Sequence, residues 1–336
     1  MAKWYHDQGA QSDIVLSTRV RLARNIKGIP FPSRMKGEDG EKVICLVKDA
    51  LDALHYNFSL IRLSECPDLE KQRLLEAHFI SPDMLRDTEH KAVFLSEDGY
   101  VSILINEEDH IRLQGIFSGM ESEKAYDLIA KIDDCLAERL NYAVHEKYGY
   151  LTACPSNAGT GMRLSFMLHL PALCMAQLTE KLFATIGKLG VTVRGLYGEG
   201  TKASGYVFQI SNQFTLGRSE QELMASITEV VGQIISKERE LRTKLLRENG
   251  VALEDKIMRA YGQMKYARVM STKEFNGLLS FVRLGVSAGL IDSLTIREVN
   301  TLMVEARPAH VMGDAPLTEM ERDVKRADII RRALEK

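Results

Sequence analysis

The chain of 336 residues has no long apolar segment. No run of about 18 uninterrupted apolar residues occurs, so a membrane span is not expected. The opening stretch MAKWYHDQGAQSDIVLS holds no extended apolar core, so a secretory signal is not expected either. The five cysteines are widely spaced and form no Cys-x-x-Cys pair, which argues against a zinc ribbon or a disulfide framework. These absences predict a cytoplasmic protein with reduced cysteines.

A surplus of positive charge is also absent. The 44 Lys and Arg residues are balanced by 46 Asp and Glu residues, so the formal net charge is −2 and direct binding of nucleic acid is not expected. Any anion site must then come from a local cluster of arginines. The apolar content of 45% is typical of a soluble globular protein, and the length suits one large domain or two ordinary ones.

Apolar spacing predicts an N-terminal part that contains a sheet and a C-terminal part that is all helical. Strands are expected at 92–96, 101–106, 148–153, 191–197 and 205–211. Helices are expected at 121–142, across 162–189 with a break near Pro171, and from a Ser219–Glu222 capping box to about Gly250. Amphipathic helices are expected at 253–266, 272–284, 294–306 and 317–334, with a turn at 307–316. This pattern divides the chain into 1–250 and 251–336.

The segment STRVRLARN, residues 17–25, carries two alternating arginines. On an extended backbone Arg19 and Arg21 point to one face, where two guanidinium groups can make paired bonds to phosphate oxygens. Surface salt bridges explain this segment alone equally well.

The segment NEEDHIR, residues 106–112, crowds carboxylates beside a cation. Glu107, Glu108 and Asp109 lie next to His110 and Arg112, and such a run could bind a metal or a cationic substrate. A solvated loop is the commoner outcome for consecutive carboxylates.

The segment CPSNAGTGMR, residues 154–163, follows a predicted strand. Gly159 and Gly161 permit positive φ and a close backbone approach, and Arg163 is expected near a helix start. No Gly-Lys-Ser/Thr follows, so this is not a Walker A loop. Cys154 has no obvious base beside it, and a packed small hydrophobe is the alternative to a nucleophile.

Two further segments carry charge in suggestive positions. In RGLYGEGTKASG, residues 194–205, Arg194 leaves a predicted strand and Glu199 lies in a glycine-rich loop typical of a lid over substrate, although a plain surface loop fits as well. In RDVKRA, residues 322–327, Arg322 and Arg326 are helical neighbours, which by themselves indicate an ordinary charged helix face.

Together the segments repeat one theme. Five arginines lie on expected strands, strand ends or loops, and two glutamates, Glu108 and Glu199, lie among them. Arginines with little lysine do not suit a P-loop enzyme, but they suit a kinase that holds the phosphates of ATP with guanidinium groups.

The blocks STRVR, NEEDHIR, CPSNAGTGMR and RGLYGEGT resemble, in order, the signature blocks of the phosphagen (guanidino) kinases, over roughly residues 13–245. The resemblance implies phosphorylation of a guanidinium nitrogen with ATP and Mg²⁺. It also implies an α+β fold, with a large, mainly antiparallel sheet flanked by helices as in glutamine synthetase, followed by a small all-helical C-terminal domain.

The resemblance assigns roles to individual residues. Glu108 and Glu199 would hold the acceptor guanidinium, with Glu108 the preferred base, and Cys154 would be the family's reactive cysteine. The acidic run at 107–109 would help to place Mg²⁺ through water. The implied nucleotide contacts are Ser17, Thr18, Arg19, Val20, Arg21, His78, Arg112, Arg163, Leu164, Ser165, Phe166, Met167, Arg194, Gly195, Leu196, Tyr197 and Gly198.

Two departures from the small-molecule members are similar to the bacterial protein-arginine kinases: the separate N-terminal helical domain is missing, and a helical segment follows residue 250. RDVKRA resembles their RDxxRA motif, an allosteric phosphoarginine pocket formed by Arg322, Asp323, Arg326 and Ala327. The missing domain would open the acceptor pocket to an arginine within a protein and make free arginine a poor substrate.

The same resemblance implies partners. They are protein substrates with exposed arginines, a zinc-finger activator protein, a heat-shock repressor and a Clp ATPase, in proteolysis and the stress response, with the kinase as a homodimer or larger assembly. A kinase for a small free guanidino compound and a phosphoarginine-binding adaptor without catalysis are the alternatives.

Overall fold

A computed structural model describes residues 3–195, 204–313 and 317–335. Its centre is an eight-stranded sheet in the order β2-β3-β4-β5-β1-β8-β10-β9, in which every neighbouring pair is antiparallel. The predicted fold class is therefore confirmed. The strands are β1 (Val15–Arg24), β2 (Phe58–Arg62), β3 (Ala92–Ser96), β4 (Val101–Ile105), β5 (Ile111–Ser118), β8 (Met162–His169), β9 (Val191–Gly195) and β10 (Val207–Asn212). A separate small hairpin pairs β6 (Val144–His145) with β7 (Gly149–Tyr150).

Helices cover both faces of the sheet. They are α1 (Gly37–Leu51), α2 (Asp68–Glu76), α3 (Ser122–Arg139), α4 (Pro171–Met175), α5 (Thr179–Gly187), α6 (Glu220–Tyr266), α7 (Thr272–Ser287), α8 (Ile296–Glu305), α9 (Pro308–Met312) and α10 (Glu319–Leu334). None of the helices within the described ranges is both long and apolar enough to cross a bilayer.

The main hydrophobic core lies on one face of the sheet. There Val20, Leu164 and Phe166 pack against α1, α3, α5 and the first half of α6. The other face carries two smaller cores, one around Trp4 beneath α2 and one formed with the C-terminal helices. The part of this second face between the two smaller cores is where polar side chains can reach a cavity.

The segment 162–189 was wrongly expected to be helical at its start. Met162–His169 is strand β8, and Arg163 lies within that strand, not at a helix start. Met162, Leu164, Phe166 and Leu168 are buried in the main core, which is the two-residue period of a strand. The helical interpretation missed this alternation because, among the intervening residues, Met167 is also apolar and Ser165 is small.

Several boundaries also differ from the expected ones. Helix α6 runs to Tyr266 but is broken at Asn249, whose φ of −133° and ψ of 31° are not helical, so the break expected near Gly250 is present as a kink, without a loop between the two helical parts. Pro308–Met312 forms the short helix α9 inside the expected turn, and only Gly149–Tyr150 of the expected strand 148–153 is extended. The Ser219–Glu222 capping box at the start of α6 is confirmed, with the Ser219 hydroxyl accepting from the Glu222 amide.

Candidate active site

The register of three neighbouring strands directs four arginines to one face of the sheet. Directly opposed residues on antiparallel strands point the same way. Arg21 of β1 lies opposite Arg163 of β8. Arg112 of β5 lies opposite Ala23, two residues after Arg21. Since Arg19 and Arg21 alternate on β1, all four guanidinium groups project from the same side.

Arg194 of β9 reaches this face through β10. It lies opposite Gln209, and Gln209 lies opposite Met167, an even number of positions from Arg163 along β8. Gln209 and Ser211 line the same cavity, although neither was predicted as a site residue. Their two-residue spacing among the apolar residues Val207, Phe208 and Ile210 of β10 was the signal that could have found them.

These side chains surround a cavity of about 390 Å³. The structure thus brings together the five predicted arginines with Glu108 and Cys154. Ser81, Asp83 and Glu107 also lie at its wall and were not predicted to contact the nucleotide. The cavity is lined by Arg19, Arg21, Ala23, Ser81, Pro82, Asp83, Glu107, Glu108, Arg112, Cys154, Ser156, Asn157, Gly161, Arg163, Arg194, Gln209 and Ser211.

Positive charge in this cavity is poorly compensated. Burial, reinforced by the neighbouring Arg112 and Arg163, lowers the pKa of Arg19 to about 10. The same causes lower the pKa of Arg21, and burial with Arg194 lowers that of Arg163. The Nε atoms of Arg21 and Arg163 are buried and have no hydrogen-bond partner among the described residues. An oligophosphate fits this environment, because its oxygens would supply both the missing acceptors and the missing negative charge.

Arg112 connects the arginines to the acidic segment. It forms an ion pair with Glu107, and its Nη2 donates to Glu108 Oε2 at 3.1 Å. Glu107 is almost fully buried and also accepts from the Ser81 hydroxyl, whereas 45% of the Glu108 side chain is exposed. Glu108 is therefore the carboxylate of this pair that can turn from Arg112 to another partner in the cavity.

The expectation that the whole acidic run helps to place Mg²⁺ is wrong for Asp109. Asp109 is fully buried, and its Oδ1 accepts from the Asn25 amide group and the Ala153 backbone, both at 2.7 Å. It holds the loop before Cys154 against the end of β1. Within the described ranges no three His, Cys, Asp or Glu side chains gather as a metal site.

Two glycines shape the loop that carries Cys154. Gly159 has φ +104°, and a Cβ there would lie 2.6 Å from the Thr215 carbonyl oxygen. Gly161 has φ +66°, and a Cβ there would lie 2.7 Å from the Ala23 carbonyl oxygen. The predicted positive φ and close backbone approach are therefore present at both positions. Cys154 Sγ lies 3.0 Å from the Ser156 hydroxyl.

Several predicted nucleotide contacts point away from the cavity. Thr18, Val20, Leu164 and Phe166 are on the opposite face of the sheet, so their side chains cannot serve as contacts and the prediction is corrected for them. Their burial follows from strand alternation, since every second residue of a motif on a strand faces the core.

Other predicted contacts among the described residues do not line the cavity. Met167 packs in the core formed with the C-terminal helices, and Ser17 and Ser165 are buried. His78 lies beside the ring of Trp4 at a centroid distance of 6.1 Å. Gly195 ends β9. Glu199, Leu196, Tyr197 and Gly198 lie outside the described residues.

The RDVKRA segment lies on α10, and its members differ in accessibility. Arg326 is buried and donates to the Ala306 carbonyl at 2.7 Å and the Met270 carbonyl at 2.8 Å, besides its ion pair with Asp323. Ala327 is fully buried. Arg326 and Ala327 thus hold the helices together, and the expectation that they contact a ligand is corrected. Arg322 and Asp323 are the half-buried members of the segment.

His78 should make the folded protein sensitive to acid. Burial, with Arg307 and Arg19 nearby, lowers the pKa of His78 to about 3. Between pH 7 and pH 5 the unfolded chain gains a proton at this histidine that the folded protein does not. The free energy of unfolding should therefore fall by about 2 kcal/mol from pH 7 to pH 5, because only the unfolded chain binds this proton.

Urea unfolding at the two pH values tests this expectation. His78→Gln should show a smaller loss of unfolding free energy on acidification, while the exposed His55→Gln should behave as the parent protein does. Equal losses in His78→Gln and the parent would show that His78 titrates normally.

Comparisons with known proteins agree with the geometry. Residues 42–241 match the family "ATP:guanido phosphotransferase, C-terminal catalytic domain", and residues 250–336 match "Protein-arginine kinase McsB C-terminal domain". The first match begins after the STRVR segment. In solved structures, a duplicated taurocyamine kinase from Schistosoma mansoni is similar with a TM-score of 0.63 and 28% identity, over 70% of this chain and 34% of that one. A lombricine kinase is similar with a TM-score of 0.62 and 25% identity, over 73% of this chain and 72% of that one.

Curated relatives extend the similarity over almost the whole chain. The protein-arginine kinase of Pelotomaculum thermopropionicum is 46% identical, with 98% of this chain and 94% of the relative covered. The protein-arginine kinase of Symbiobacterium thermophilum is 42% identical, with 99% and 96% covered. Combined with the arginine-lined cavity on an antiparallel sheet, these matches show that the chain belongs to the ATP:guanido phosphotransferase family and, within it, to the protein-arginine kinases.

Proposed function

We propose that this chain transfers the γ-phosphoryl group of ATP to arginine side chains in proteins. The observation that carries the proposal is the set of five arginines around one cavity with Glu108 at its wall. Membership of the protein-arginine kinases supplies the acceptor, since the relatives are named for that substrate. A kinase for a small guanidino compound remains the alternative within the same chemistry.

The arginines would bind and align the triphosphate. Arg21 and Arg163, opposite each other on β1 and β8, have buried Nε groups ready to donate to phosphate oxygens. Charge on the equatorial oxygens of the transferred group would be offset by guanidinium groups already in place, which is the main source of rate in phosphoryl transfer. Kinases of this family use ATP with Mg²⁺, which supplies further charge compensation on the phosphates when bound.

Glu108 would act on the acceptor. A guanidinium is a poor nucleophile, because its pKa exceeds about 12 and its lone pairs are delocalised. A carboxylate can orient one nitrogen by paired hydrogen bonds and take its proton as the N–P bond forms and the bond to the β-phosphate oxygen breaks. Glu199, from outside the described residues, is proposed as the second carboxylate on the strength of the motif resemblance.

Cys154 is proposed to assist the acceptor, not to form a covalent intermediate. Cys154 lines the cavity, and its Sγ is hydrogen-bonded to the Ser156 hydroxyl. A polar atom at this position can contact the acceptor guanidinium. Cys154→Ser should therefore keep part of the activity, with a loss of about 10-fold in kcat, because the hydroxyl preserves a polar atom of similar reach. Steady-state kinetics on a protein substrate measure this. Trapping a phosphocysteine in the parent enzyme would overturn the assignment.

One assay tests the proposed function against its alternatives. The protein is incubated with Mg-ATP labelled at the γ-phosphate and either a bulk protein mixture or free arginine. Acid-labile label on arginine within protein is the expected result, with free arginine a poor acceptor. Equal or better labelling of free arginine would favour a small-molecule kinase, and no labelling of either would favour a binding protein without catalysis.

We infer the cellular context from the motif resemblance alone. A zinc-finger activator protein, a heat-shock repressor and a Clp ATPase are the proposed partners, in a cytoplasmic stress response that marks proteins for proteolysis. The half-buried Arg322 and Asp323 are proposed to bind phosphoarginine. The Nε of Arg322 is buried without a hydrogen-bond partner among the described residues, which supports an anionic ligand there.

A further inference from the structure

Helix α7 of the C-terminal part lies directly against the backbone just before β10. Gly205 has φ +68°, and a Cβ there would lie 2.7 Å from the main-chain oxygen of Asn276 on α7. The Ser280 Cβ, one turn further along α7, would be 3.7 Å away. A side chain at Gly205 is therefore excluded by the backbone of α7 as well as by its own conformation.

The next residue makes a second contact with the same helix. The ring of Tyr206 meets that of Phe281 edge to face, with centroids 6.1 Å apart and an interplanar angle of 87°. Tyr206 also has a positive φ of 57°, and its carbonyl accepts from the Leu170 amide at 2.9 Å. Two consecutive residues in the left-handed region need support from their surroundings, and α7 supplies it.

This junction joins two parts of the proposed active site. After it, β10 carries Gln209 and Ser211 to the wall of the cavity. Before it lies the segment that contains Glu199, which is outside the described residues. The position of residues 205–206 on α7 therefore determines where β10 begins and where Gln209 and Ser211 meet the cavity.

Helix α7 is itself fixed to the sheet at the level of this contact. The Ser280 hydroxyl lies 2.7 Å from His169 Nε2, at the end of β8. Arg283, one turn later, donates to the carbonyls of Ser12 at 2.6 Å and Asp13 at 2.9 Å, just before β1. These groups are buried, so α7 is a firm support for the junction.

The chain just before α7 (Thr272–Ser287) is held by the RDVKRA segment of α10. Arg326 donates to the Met270 carbonyl at 2.8 Å, and the Met270 amide donates to the Asp323 carbonyl at 3.1 Å. Met270 lies two positions before the first residue of α7, and Asn276 lies in the second turn of that helix. The chain thus contacts α10 immediately before α7 begins, and α7 contacts the active-site junction within its second turn.

We propose that α7 positions the active site for phosphoryl transfer, and that Gly205 is the positioning residue through which it acts. The inference rests on the proposed function. It makes α7 the physical connection by which a change at α10 reaches the wall of the cavity that β10 forms. Four of the five cavity arginines lie on β1, β5 and β8, outside this junction, so ATP binding should depend on it much less than turnover does.

Gly205→Ala is the direct test, with Gly217→Ala as its matched control. Gly217 also has a positive φ, +78°, but a Cβ there would meet no atom within 4 Å. Both variants carry the same left-handed strain, and only Gly205→Ala pushes against α7. We expect Gly205→Ala to lower kcat on a protein substrate by about 10-fold or more, with the Kd for ATP changed less than about 3-fold. Gly217→Ala should keep both values.

A second pair of variants applies if Gly205→Ala folds poorly. Phe281→Ala removes from α7 the ring that contacts Tyr206. Leu278→Ala, the control, removes another half-buried apolar side chain from the same helix. Phe281→Ala should lower kcat without weakening ATP binding, and Leu278→Ala should not.

The inference is overturned if kcat is unchanged in Gly205→Ala or Phe281→Ala, or if ATP affinity falls in proportion to kcat. Proportional losses would mean that the contact only stabilises the sheet. Failure of the proposed function would look different, because the parent protein itself would then bind Mg-ATP without labelling arginine in any protein.

Discussion

Glu108→Gln should lower the rate of phosphoryl transfer to protein arginine by about 10²–10⁴-fold, the usual contribution of a general base. The amide keeps the shape of the side chain but cannot take the proton from the acceptor guanidinium. ATP binding should survive, because Arg112 keeps its ion pair with the buried Glu107 when the bond to Glu108 is lost. Single-turnover kinetics at saturating ATP, with the Kd for ATP measured separately, distinguish the two effects.

Glu146→Gln is the control for this variant, because Glu146 is an exposed glutamate in the β6–β7 hairpin. It should match the parent in both rate and affinity. Near-normal turnover in Glu108→Gln would remove Glu108 from the mechanism and leave proton transfer to another group. A parallel loss of ATP affinity would instead assign Glu108 to holding Arg112.

The sequence was sufficient to predict which arginines converge. Arg19 and Arg21 alternate on a strand, and the other three lie on polar segments at or near strand ends, positions that an antiparallel sheet can bring to one face. Side-chain direction was less predictable for the neighbours. Contiguous motifs such as Ser17–Arg21 were assigned as units, yet a strand divides each unit between two faces.

The supporting groups could not be predicted because they depend on long-range contacts. Asp109 was grouped with Glu107 and Glu108 by sequence, but its partners Asn25 and Ala153 come from other parts of the chain. The contact between Gly205 and α7 joins residues about 70 positions apart and is made by the main-chain oxygen of Asn276, so no pattern of side chains in the sequence indicates it. Local periodicity predicted the helices of the C-terminal part but not what they touch.

Removing one cavity arginine should separate stability from function. Arg21 is half-buried among like charges, its pKa is lowered by burial and by Arg19 and Arg112, and its buried Nε has no hydrogen-bond partner among the described residues. Arg21→Met keeps the apolar stem and removes the charge. We expect the free protein to gain about 1–3 kcal/mol of unfolding free energy, because a partly buried charge among like charges is removed.

The same variant should bind ATP at least about 100-fold more weakly, since a paired guanidinium contact to phosphate is lost in a partly buried site. Thermal unfolding with and without Mg-ATP measures both effects: Arg21→Met should unfold at a higher temperature than the parent without ATP and gain little from its addition. Arg332→Met, at an exposed position on α10, should follow the parent in both conditions. If Arg21→Met were instead less stable and still stabilised by ATP as the parent is, the charge of Arg21 would serve the fold, and the excess positive charge of the cavity would not be what binds the triphosphate.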